Sequence, residues 1–379
     1  MMPSSLYIHI PFCASKCYYC DFNSYVSTGE VMDRYLDALD IEMGILSREM
    51  NWEPLQTVFF GGGTPTMFDT RQSERMMNIL HRHFRLAEEA EISVEANPGT
   101  VNAEKLQVLR EGGVNRLSFG VQSFHDAILK KLGRLHDSLT VYHSYEKARQ
   151  AGFSSINLDL MFGLPGQTVE IFSDSLRRMT ELAPEHISAY SLKVEEGTPF
   201  AVWQERGKLH LPPEEDDLAM YNLLMETLEA HGYGMYEISN FAKNGHECRH
   251  NKVYWRNEPY LAAGAGAHGY VNHVRYVVES SVPAYIEGCQ AGKRPVVEQE
   301  AIPEAIRRED TMILGLRMLE GVRFARFQER HGIEMRDLFG DITSRLEQRG
   351  LLVRDEVGVR LSRQALPIAN EVFSAFLIS

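Results

Sequence analysis

The chain of 379 residues contains little cysteine, which excludes a disulfide framework. The cysteines number only five, an odd total. Cys13, Cys17 and Cys20 lie within eight positions of each other, whereas Cys248 and Cys289 stand alone. In a reducing compartment such clustering favours ligation of a metal or a cluster over bridging.

Long apolar runs and an excess of positive charge are also lacking. No stretch of this sequence approaches the roughly 20 consecutive apolar residues of a membrane span. Residues 1–12 contain no Lys or Arg before a short apolar segment, unlike a signal peptide. The net charge of −13 disfavours binding to the phosphate backbone of nucleic acids. We therefore expect a cytoplasmic protein that does not bind nucleic acid.

Apolar sequence is plentiful, at 44% of the chain, and its arrangement indicates an α/β fold. Up to about residue 192, short β-branched and aromatic runs alternate with amphipathic helical stretches, as in βα units around a parallel sheet. Met32, Leu36 and Leu39, for example, share one face of a predicted helix. The six predicted strands are residues 6–10, 57–60, 91–95, 116–121, 155–161 and 186–192.

The sequence divides into three predicted parts. Residues 1–211 hold the βα repeat, and residues 212–300 form a connecting region rich in Gly, Tyr and His, where the repeat ends. Residues 301–379 predict an α+β domain, in which helices followed by a short hairpin resemble a winged-helix module. This last part could equally be a cap on the large domain. Its 12 arginines are matched by 12 acidic residues, so the basic stripe of a DNA-reading domain is missing.

The three clustered cysteines follow the first predicted strand, where loops of a parallel βα architecture hold the chemistry. Three thiolates on one short loop can hold three irons of a cubane cluster and leave the fourth open. Zinc is the alternative, since the three cysteines and His9 could form a tetrahedral site. Zinc ligands more often come as pairs of close cysteines with a wide gap between them, so the spacing favours the cluster.

The Cys13-x-x-x-Cys17-x-x-Cys20 spacing, with Gly61-Gly62-Gly63-Thr64-Pro65 after the second strand, resembles the radical S-adenosylmethionine (SAM) superfamily. The resemblance implies an incomplete (βα)6 TIM-like barrel. It also implies a 4Fe-4S cluster whose open iron is chelated by the amino and carboxylate groups of SAM. Reduction of that cluster would cleave the sulfonium and yield a 5′-deoxyadenosyl radical.

Further motifs resemble the coproporphyrinogen dehydrogenase group of that superfamily. They are Tyr7-Ile8-His9-Ile10-Pro11-Phe12-Cys13, Glu95-Ala96-Asn97-Pro98-Gly99, Gly120-Val121-Gln122-Ser123, Asn157-Leu158-Asp159-Leu160 and Gly163-Leu164-Pro165. In this resemblance Arg134 is suited to a forked contact with the SAM carboxylate. The SAM-contacting residues that it implies are Tyr7, Tyr19, Gly62, Gly63, Thr64, Glu95, Gln122, Arg134 and Asp159.

Each of these residues also has a purely structural interpretation. The glycine run could be only a tight strand-to-helix turn, and Tyr7 could be a core aromatic. Glu95, Gln122 and Asp159 could be polar groups that satisfy strand ends. Their recurrence at successive strand ends favours the functional interpretation, because side chains from several strands converge there.

One position departs from the dehydrogenases. Phe22 stands two positions after Cys20, where they carry a further cysteine. Cys20-Asp21-Phe22-Asn23 resembles instead the HemW branch of heme chaperones, and so does His250-Asn251-Lys252-Val253-Tyr254-Trp255, which matches the His-Asn-x-x-Tyr-Trp motif of that branch.

The same motif suggests how heme would be held. Heme iron accepts an imidazole ligand, and the porphyrin face packs against aromatic rings, so the resemblance implies heme contacts by His250, Tyr254 and Trp255. Cys248 is a further candidate ligand. Alternatively, His250 is an ordinary loop histidine, the two aromatics are buried anchors, and Cys248 is a small buried hydrophobe.

The resemblance implies a heme chaperone that binds exchangeable SAM at a 4Fe-4S cluster and transfers heme to acceptor proteins. Membrane-bound respiratory proteins are the expected acceptors, with the chain peripheral to the membrane during delivery, and a flavodoxin or ferredoxin is the expected electron donor. Two alternatives stay open. One is an oxygen-independent coproporphyrinogen III dehydrogenase, against which Phe22 argues. The other is a non-catalytic module that holds zinc and binds nucleic acid through its C-terminal part.

Overall fold

The computed structural model describes residues 2–378 and has an incomplete barrel at its centre. Six parallel strands follow one another in space in the order in which they occur in the sequence. They are β1 (Ser5–Ile10), β2 (Leu55–Gly62), β3 (Leu86–Ala96), β4 (Arg116–Gln122), β5 (Ser155–Phe162) and β6 (His186–Ser191). All six predicted strands are present, although β3 begins five residues before its predicted start, β2 extends two residues further at each end, and β6 ends one residue earlier.

Helices connect these strands and cover the outside of the sheet. They are α1 (Gly29–Glu49), α2 (Thr70–His83), α3 (Ala103–Glu111), α4 (Asp126–Lys131), α5 (Ser138–Gln150) and α6 (Val169–Leu182). In α1, Met32, Leu36 and Leu39 are buried, as their spacing predicts. Helix α6 begins after Thr168, whose side chain accepts a hydrogen bond from the Ile171 amide. The α/β radical SAM fold class is confirmed.

The connecting region extends the central sheet at both edges, which the sequence did not show. Helix α7 (Pro199–Glu205) precedes this region. The helices of the region are α8 (Glu214–Ala230), α9 (Arg249–Trp255) and α10 (Val282–Gln290), and its first strands are β7 (Gly234–Glu237), β8 (Asn240–Ala242) and β9 (Leu261–Ala263). Strand β8 pairs with β6 in antiparallel fashion, and β9 pairs with β1 in parallel fashion. The βα repeat ends before this region, as predicted. The short strands that extend the sheet were not predicted, because three or four residues are too few to display a periodic pattern.

Two small antiparallel sheets complete the C-terminal half. The first contains β10 (His268–Val271), β11 (Val274–Val278) and β12 (Val296–Ala301). The second contains β13 (Val322–Arg323), β14 (Leu352–Arg354) and β15 (Gly358–Leu361), and it packs with α11 (Glu304–Gly315), α12 (Phe324–His331), α13 (Met335–Gln348) and α14 (Ala369–Ser374). The predicted hairpin is the pair β14–β15.

One hydrophobic core includes residues from all three predicted parts, for example Leu6, Tyr285 and Phe339. The division at residues 211 and 300 stays a prediction. None of the helices within residues 2–378 is both long enough and apolar enough to cross a membrane.

Candidate functional site

The three clustered cysteines lie on the loop that leaves β1. The Cys13 amide donates to the Tyr25 carbonyl at 2.9 Å, and the Cys20 amide donates to the Cys17 carbonyl at 3.3 Å, so backbone hydrogen bonds curl the loop. The Cys13 thiol lies 3.6 Å from the Thr64 hydroxyl. All three cysteines are partly exposed, and they line one cavity of about 380 Å³.

Burial raises the pKa of the Cys13 thiol, and it raises that of Cys20 to about 11. Both side chains are therefore thiols at neutral pH, and ligation would release their protons. An all-sulfur donor set suits an iron–sulfur cluster, so the residues present fit the group that the cysteine spacing implies. The zinc alternative lacks its fourth ligand here, because both ring nitrogens of His9 are engaged, by the Tyr7 hydroxyl at 3.0 Å and the Asn23 carbonyl at 2.8 Å.

The glycine loop after β2 packs directly against the cysteine loop. Gly62 has a φ of +106°, and a Cβ on it would lie 2.3 Å from the His9 ring. A Cβ on Gly63 would lie 2.7 Å from the Phe12 backbone. The Thr64 amide donates to the Phe12 carbonyl at 2.7 Å. Only glycine permits this approach, which leaves backbone groups rather than side chains at the cavity wall.

Two half-buried carboxyl groups face the same cavity. Glu95 accepts a hydrogen bond from the Gly62 amide at 3.1 Å, and Asp159 accepts one from Asn157 Nδ2 at 2.6 Å. Burial, followed by the charge of Asp159, raises the pKa of Glu95 to about 8. Burial also raises the pKa of Asp159. At neutral pH Glu95 is mostly protonated, so it can both donate and accept hydrogen bonds.

Arg134 ties three parts of the site together. Its Nη2 donates to Asn97 Oδ1 at 2.5 Å and to the Gly120 carbonyl, and its Nη1 lies 3.5 Å from the Cys17 sulfur. Gln122, at the end of β4, has a φ of +66°. A non-glycine residue in this conformation is strained, and such strain is concentrated at functional sites.

The cavity contains eight of the nine residues that the resemblance assigns to SAM. They are Tyr19, Gly62, Gly63, Thr64, Glu95, Gln122, Arg134 and Asp159. Tyr7 is the exception: its ring stacks on Phe59 at 6.3 Å between centroids, and Phe59 forms the wall. Tyr7 is therefore placed to support the wall rather than to touch a ligand in this cavity.

Sequence reasoning missed several residues of the cavity wall. They are Arg116, Ser118, Asn157, Ser188, Tyr190 and Asn251. A signal for some of them existed, because alternate residues of a strand face the same side. Asn157 is two positions before Asp159, and Arg116 and Ser118 share a face with Gly120 and Gln122.

The motif from Cys248 to Trp255 forms α9, which closes the amino-terminal end of the barrel. His250 is fully buried; its Nδ1 lies 2.8 Å from the Thr57 hydroxyl and its Nε2 lies 2.8 Å from the Tyr254 hydroxyl. Burial, and then the charge of Arg116, lowers the pKa of His250 to about 3, so the ring is neutral.

An open heme platform at this motif, as the sequence suggested, is not what the structure forms. Both nitrogens of His250 are taken, Cys248 is fully buried, and Trp255 stacks under Arg317 at 4.2 Å. The physical reason is that Glu91 of β3 accepts hydrogen bonds from the Arg249 and His250 amides, which holds the helix inside the barrel mouth. A heme role of these residues stays a prediction that requires one His250 contact to open.

This chain is similar to known radical SAM proteins, in agreement with the cysteine loop and the cavity described above. The Radical SAM superfamily matches residues 7–179, and the HemN C-terminal domain matches residues 303–368. The heme chaperone HemW of Bacillus subtilis is 44% identical over 374 residues, which cover 98% of this chain and 99% of that protein. HemW of Lactococcus lactis is 38% identical, covering 99% and 98% of the two chains.

The chain belongs to the HemW family of radical SAM proteins.

Among solved structures, coproporphyrinogen III oxidase (HemN) from Escherichia coli has a TM-score of 0.86 and 25% identity, covering 99% of this chain and 90% of that one. The HemW family is thus built on the same fold as a porphyrin-related radical SAM enzyme. Membership of the radical SAM superfamily implies a 4Fe-4S cluster and SAM. Of the three functions that the sequence left open, the family favours the first.

Proposed function

We propose that this HemW-family protein holds a 4Fe-4S cluster with Cys13, Cys17 and Cys20, binds SAM beside it, and carries heme to acceptor proteins. The observation that supports this most directly is the convergence of three thiols, a glycine-lined wall, Glu95 and Arg134 on one cavity at the carboxyl ends of parallel strands. The relatives that span the whole chain are named heme chaperones.

Different residues around the cavity would bind different parts of SAM. Arg134 presents a fixed guanidinium for the methionine carboxylate, and the backbone of Gly62, Gly63 and Thr64 offers hydrogen-bonding groups to the methionine end. Glu95 would face the ribose or the methionine part, and Asp159, Gln122 and Tyr19 would supply further contacts from the wall. Tyr7 positions this wall through Phe59. When bound and reduced, the cluster supplies the electron that cleaves the sulfonium of SAM.

The proposed partners are those that the family resemblance implies. A flavodoxin or ferredoxin would supply the electron from the side of the cysteine loop. Phe22 on this loop is 61% exposed, so its ring is available for contact with another molecule. Heme acceptors include membrane-bound respiratory proteins, at which the chain would be peripheral. His250, Tyr254, Trp255 and Cys248 are the proposed heme contacts.

Anaerobic reconstitution with iron and sulfide tests the cluster. We expect a brown protein with four irons per chain, and we expect the colour to be lost in Cys17→Ser. Cys289→Ser is the matched control, because Cys289 is buried away from the cavity and should leave the colour unchanged. A colourless, zinc-loaded wild type would contradict the proposal.

Titration of the reconstituted protein with heme tests the cargo. We expect stoichiometric binding, and no protoporphyrinogen from coproporphyrinogen III with SAM and reductant present. Turnover would favour the dehydrogenase alternative. Tyr254→Phe removes the hydroxyl beside Nε2 of His250 while keeping the ring. If His250 ligates heme, this variant binds heme at least as tightly as wild type and His250→Ala loses the spectral signature of imidazole; an identical spectrum in His250→Ala would remove His250 from the site.

A further inference from the structure

A second cavity, which we call the arginine cavity, lies in the C-terminal half of the molecule. Its volume is about 370 Å³, and among the described residues it shares no wall residue with the cavity of the cysteine loop. Helices α11 and α12, the turn between β10 and β11, and the loop after α9 form its wall. The basic side chains of the wall are His273, Arg307, Arg326, Arg330 and His331.

Arg307 of α11 contributes an unpaired charge to this wall. In the part of the chain that the structure describes, no ion pair joins its guanidinium to a carboxylate, although its neighbour Arg308 pairs with Glu304. Asp310 of the same helix is engaged by Arg275 at 2.7 Å. The acidic groups of α11 therefore leave the charge of Arg307 available to a ligand.

Arg330 of α12 donates only to neutral groups. Its Nη1 donates to the Arg256 carbonyl and its Nη2 donates to the Asn257 carbonyl, both at 2.8 Å, so it holds the end of α9 without losing its charge. Arg326, one turn earlier, is by contrast paired with Glu258. Within residues 2–378, Glu329 is the only acidic residue of the cavity wall, and it is exposed.

The ionisation of the groups around the cavity reflects the same excess of positive charge. Burial and then Arg326 lower the pKa of Arg330. Burial and then Arg330 lower the pKa of His331 to about 4, and burial and then Arg307 lower the pKa of His273. Burial is the larger cause in each case, but a neighbouring arginine acts in the same direction each time. Both histidines are neutral at pH 7, so the arginines supply the charge.

We propose that Arg307 and Arg330 bind an oxyanion, a carboxylate or a phosphate group, in the arginine cavity. The planar guanidinium forms paired, charge-assisted hydrogen bonds to either group. Because like charges repel, gathering these side chains around one cavity costs stability unless an anion lies between them. The single exposed carboxylate of Glu329 does not balance the two unpaired guanidinium groups.

The oxyanion has two possible sources. Heme carries two propionates, and this source rests on the proposed function. A phosphate group, free or as part of a metabolite, has the same chemistry and does not depend on that function. Because Arg330 also holds the end of α9, a propionate in the cavity would lie near the end of the helix that carries His250.

Titrations of reconstituted wild type and Arg307→Gln test the cavity with both sources. Inorganic phosphate is added at constant ionic strength, and heme and heme dimethyl ester are added in parallel. We expect the variant to weaken phosphate binding, or the preference for heme over its ester, about 10- to 100-fold. Arg345→Gln is the matched control and should keep the wild-type values, because Arg345 is exposed on α13 and lies outside the cavity wall.

The pattern of losses identifies the source. Loss of the preference for heme in Arg307→Gln assigns the oxyanion to a propionate, whereas loss of phosphate binding alone assigns it to a phosphate. Wild-type values for both measurements in this variant would overturn the site. If wild type binds no heme at all, the proposed function fails, while the phosphate titration still tests the cavity.

Two further measurements separate binding from folding. Glu329→Gln should strengthen binding of the same ligand about two- to fivefold, because it removes a carboxylate that repels the anion. Unchanged affinity would contradict the proposed position of the anion. Without ligand, Arg307→Gln should melt at or above the temperature of wild type, because it relieves repulsion between the arginines. A lower melting temperature would contradict the excess of positive charge.

Discussion

Glu95 has a strongly raised pKa in the proposed SAM site. Its carboxyl has a pKa of about 8 in the folded chain, because burial and Asp159 disfavour the charged form. The same carboxyl titrates near pH 4.3 when the chain is unfolded. A group with a raised folded-state pKa contributes stability that is present below its unfolded pKa and is lost as the pH rises through its folded pKa.

Glu95→Gln should therefore change how stability depends on pH. Between about pH 4.5 and 8, the stability of the wild type falls relative to that of the variant, by a difference on the order of a few kcal/mol. Thermal unfolding measured from pH 5 to pH 8.5 checks this. Glu88→Gln, an exposed residue of the same strand, is the control and should track the wild type. Parallel curves for wild type and Glu95→Gln would contradict the shifted pKa.

Gly62→Ala should be severely destabilising. The backbone has a φ of +106° there, and the added methyl would lie 2.3 Å from the His9 ring, so the cysteine loop must move. We expect a loss of about 2–4 kcal/mol in the free energy of unfolding and failure to reconstitute the cluster. Gly29→Ala, at a helix start with no neighbour within 4 Å of the new Cβ, is the matched control. Equal effects of the two substitutions would refute the steric argument.

At the scale of elements, the short helix α9 depends on a carboxylate from the sheet. Glu91 accepts from the Arg249 amide at 3.0 Å and from the His250 amide at 3.1 Å, and the Cys248 thiol lies 3.6 Å from it. A helix of seven residues has few hydrogen bonds of its own, so external contacts hold it in the barrel mouth.

Glu91→Gln should loosen α9. We expect a loss of about 1–3 kcal/mol, because an amide replaces a charged acceptor of two buried N–H groups. Hydrogen exchange at residues 249–255 should accelerate more than exchange in β4. Glu89→Gln is the control, because its side chain is exposed and its hydrogen bond with Arg249 of α9 is made by the backbone carbonyl, which the substitution keeps. Unchanged exchange in Glu91→Gln would show that packing alone holds the helix.

The whole molecule shares one hydrophobic core across its three predicted parts. Leu6, Tyr285 and Phe339, from residues 1–211, 212–300 and 301–379, belong to the same packed cluster. The segments near the predicted boundaries are nevertheless exposed, including Arg206, Lys208 and Lys293. The chain is therefore exposed near the predicted boundaries, although the hydrophobic core continues across them.

Limited trypsin digestion tests whether the three parts are independent domains or share one packed core. We expect first cuts at Arg206, Lys208 and Lys293, identified by mass spectrometry, because these side chains are exposed and lie in loops. The fragments should elute together in size-exclusion chromatography without denaturant, because the core crosses both boundaries. Separate elution of an intact fragment 1–206 would establish independent domains instead.

The sequence by itself determined the six-stranded repeat and the cysteine loop, and the family resemblance of its motifs pointed to eight residues that lie on the cavity wall. Strands of six or more residues carry a periodic pattern, and the residues at their carboxyl ends must converge in a parallel barrel. The strands and the cysteine loop are local in the chain, so spacing and residue type indicate them, whereas the eight wall residues were implied by the resemblance.

Only the tertiary structure decided the places of α9, β9 and Arg116. Which strand a three-residue segment joins depends on contacts with residues more than 200 positions away, as in the pairing of Leu6 with Leu261. His250 is buried because Thr57, Glu91 and Tyr254 surround it. The sequence next to His250 does not indicate its contacts with Thr57 and Glu91, which are distant in the chain. Burial is a property of packing, which spacing along a chain does not encode.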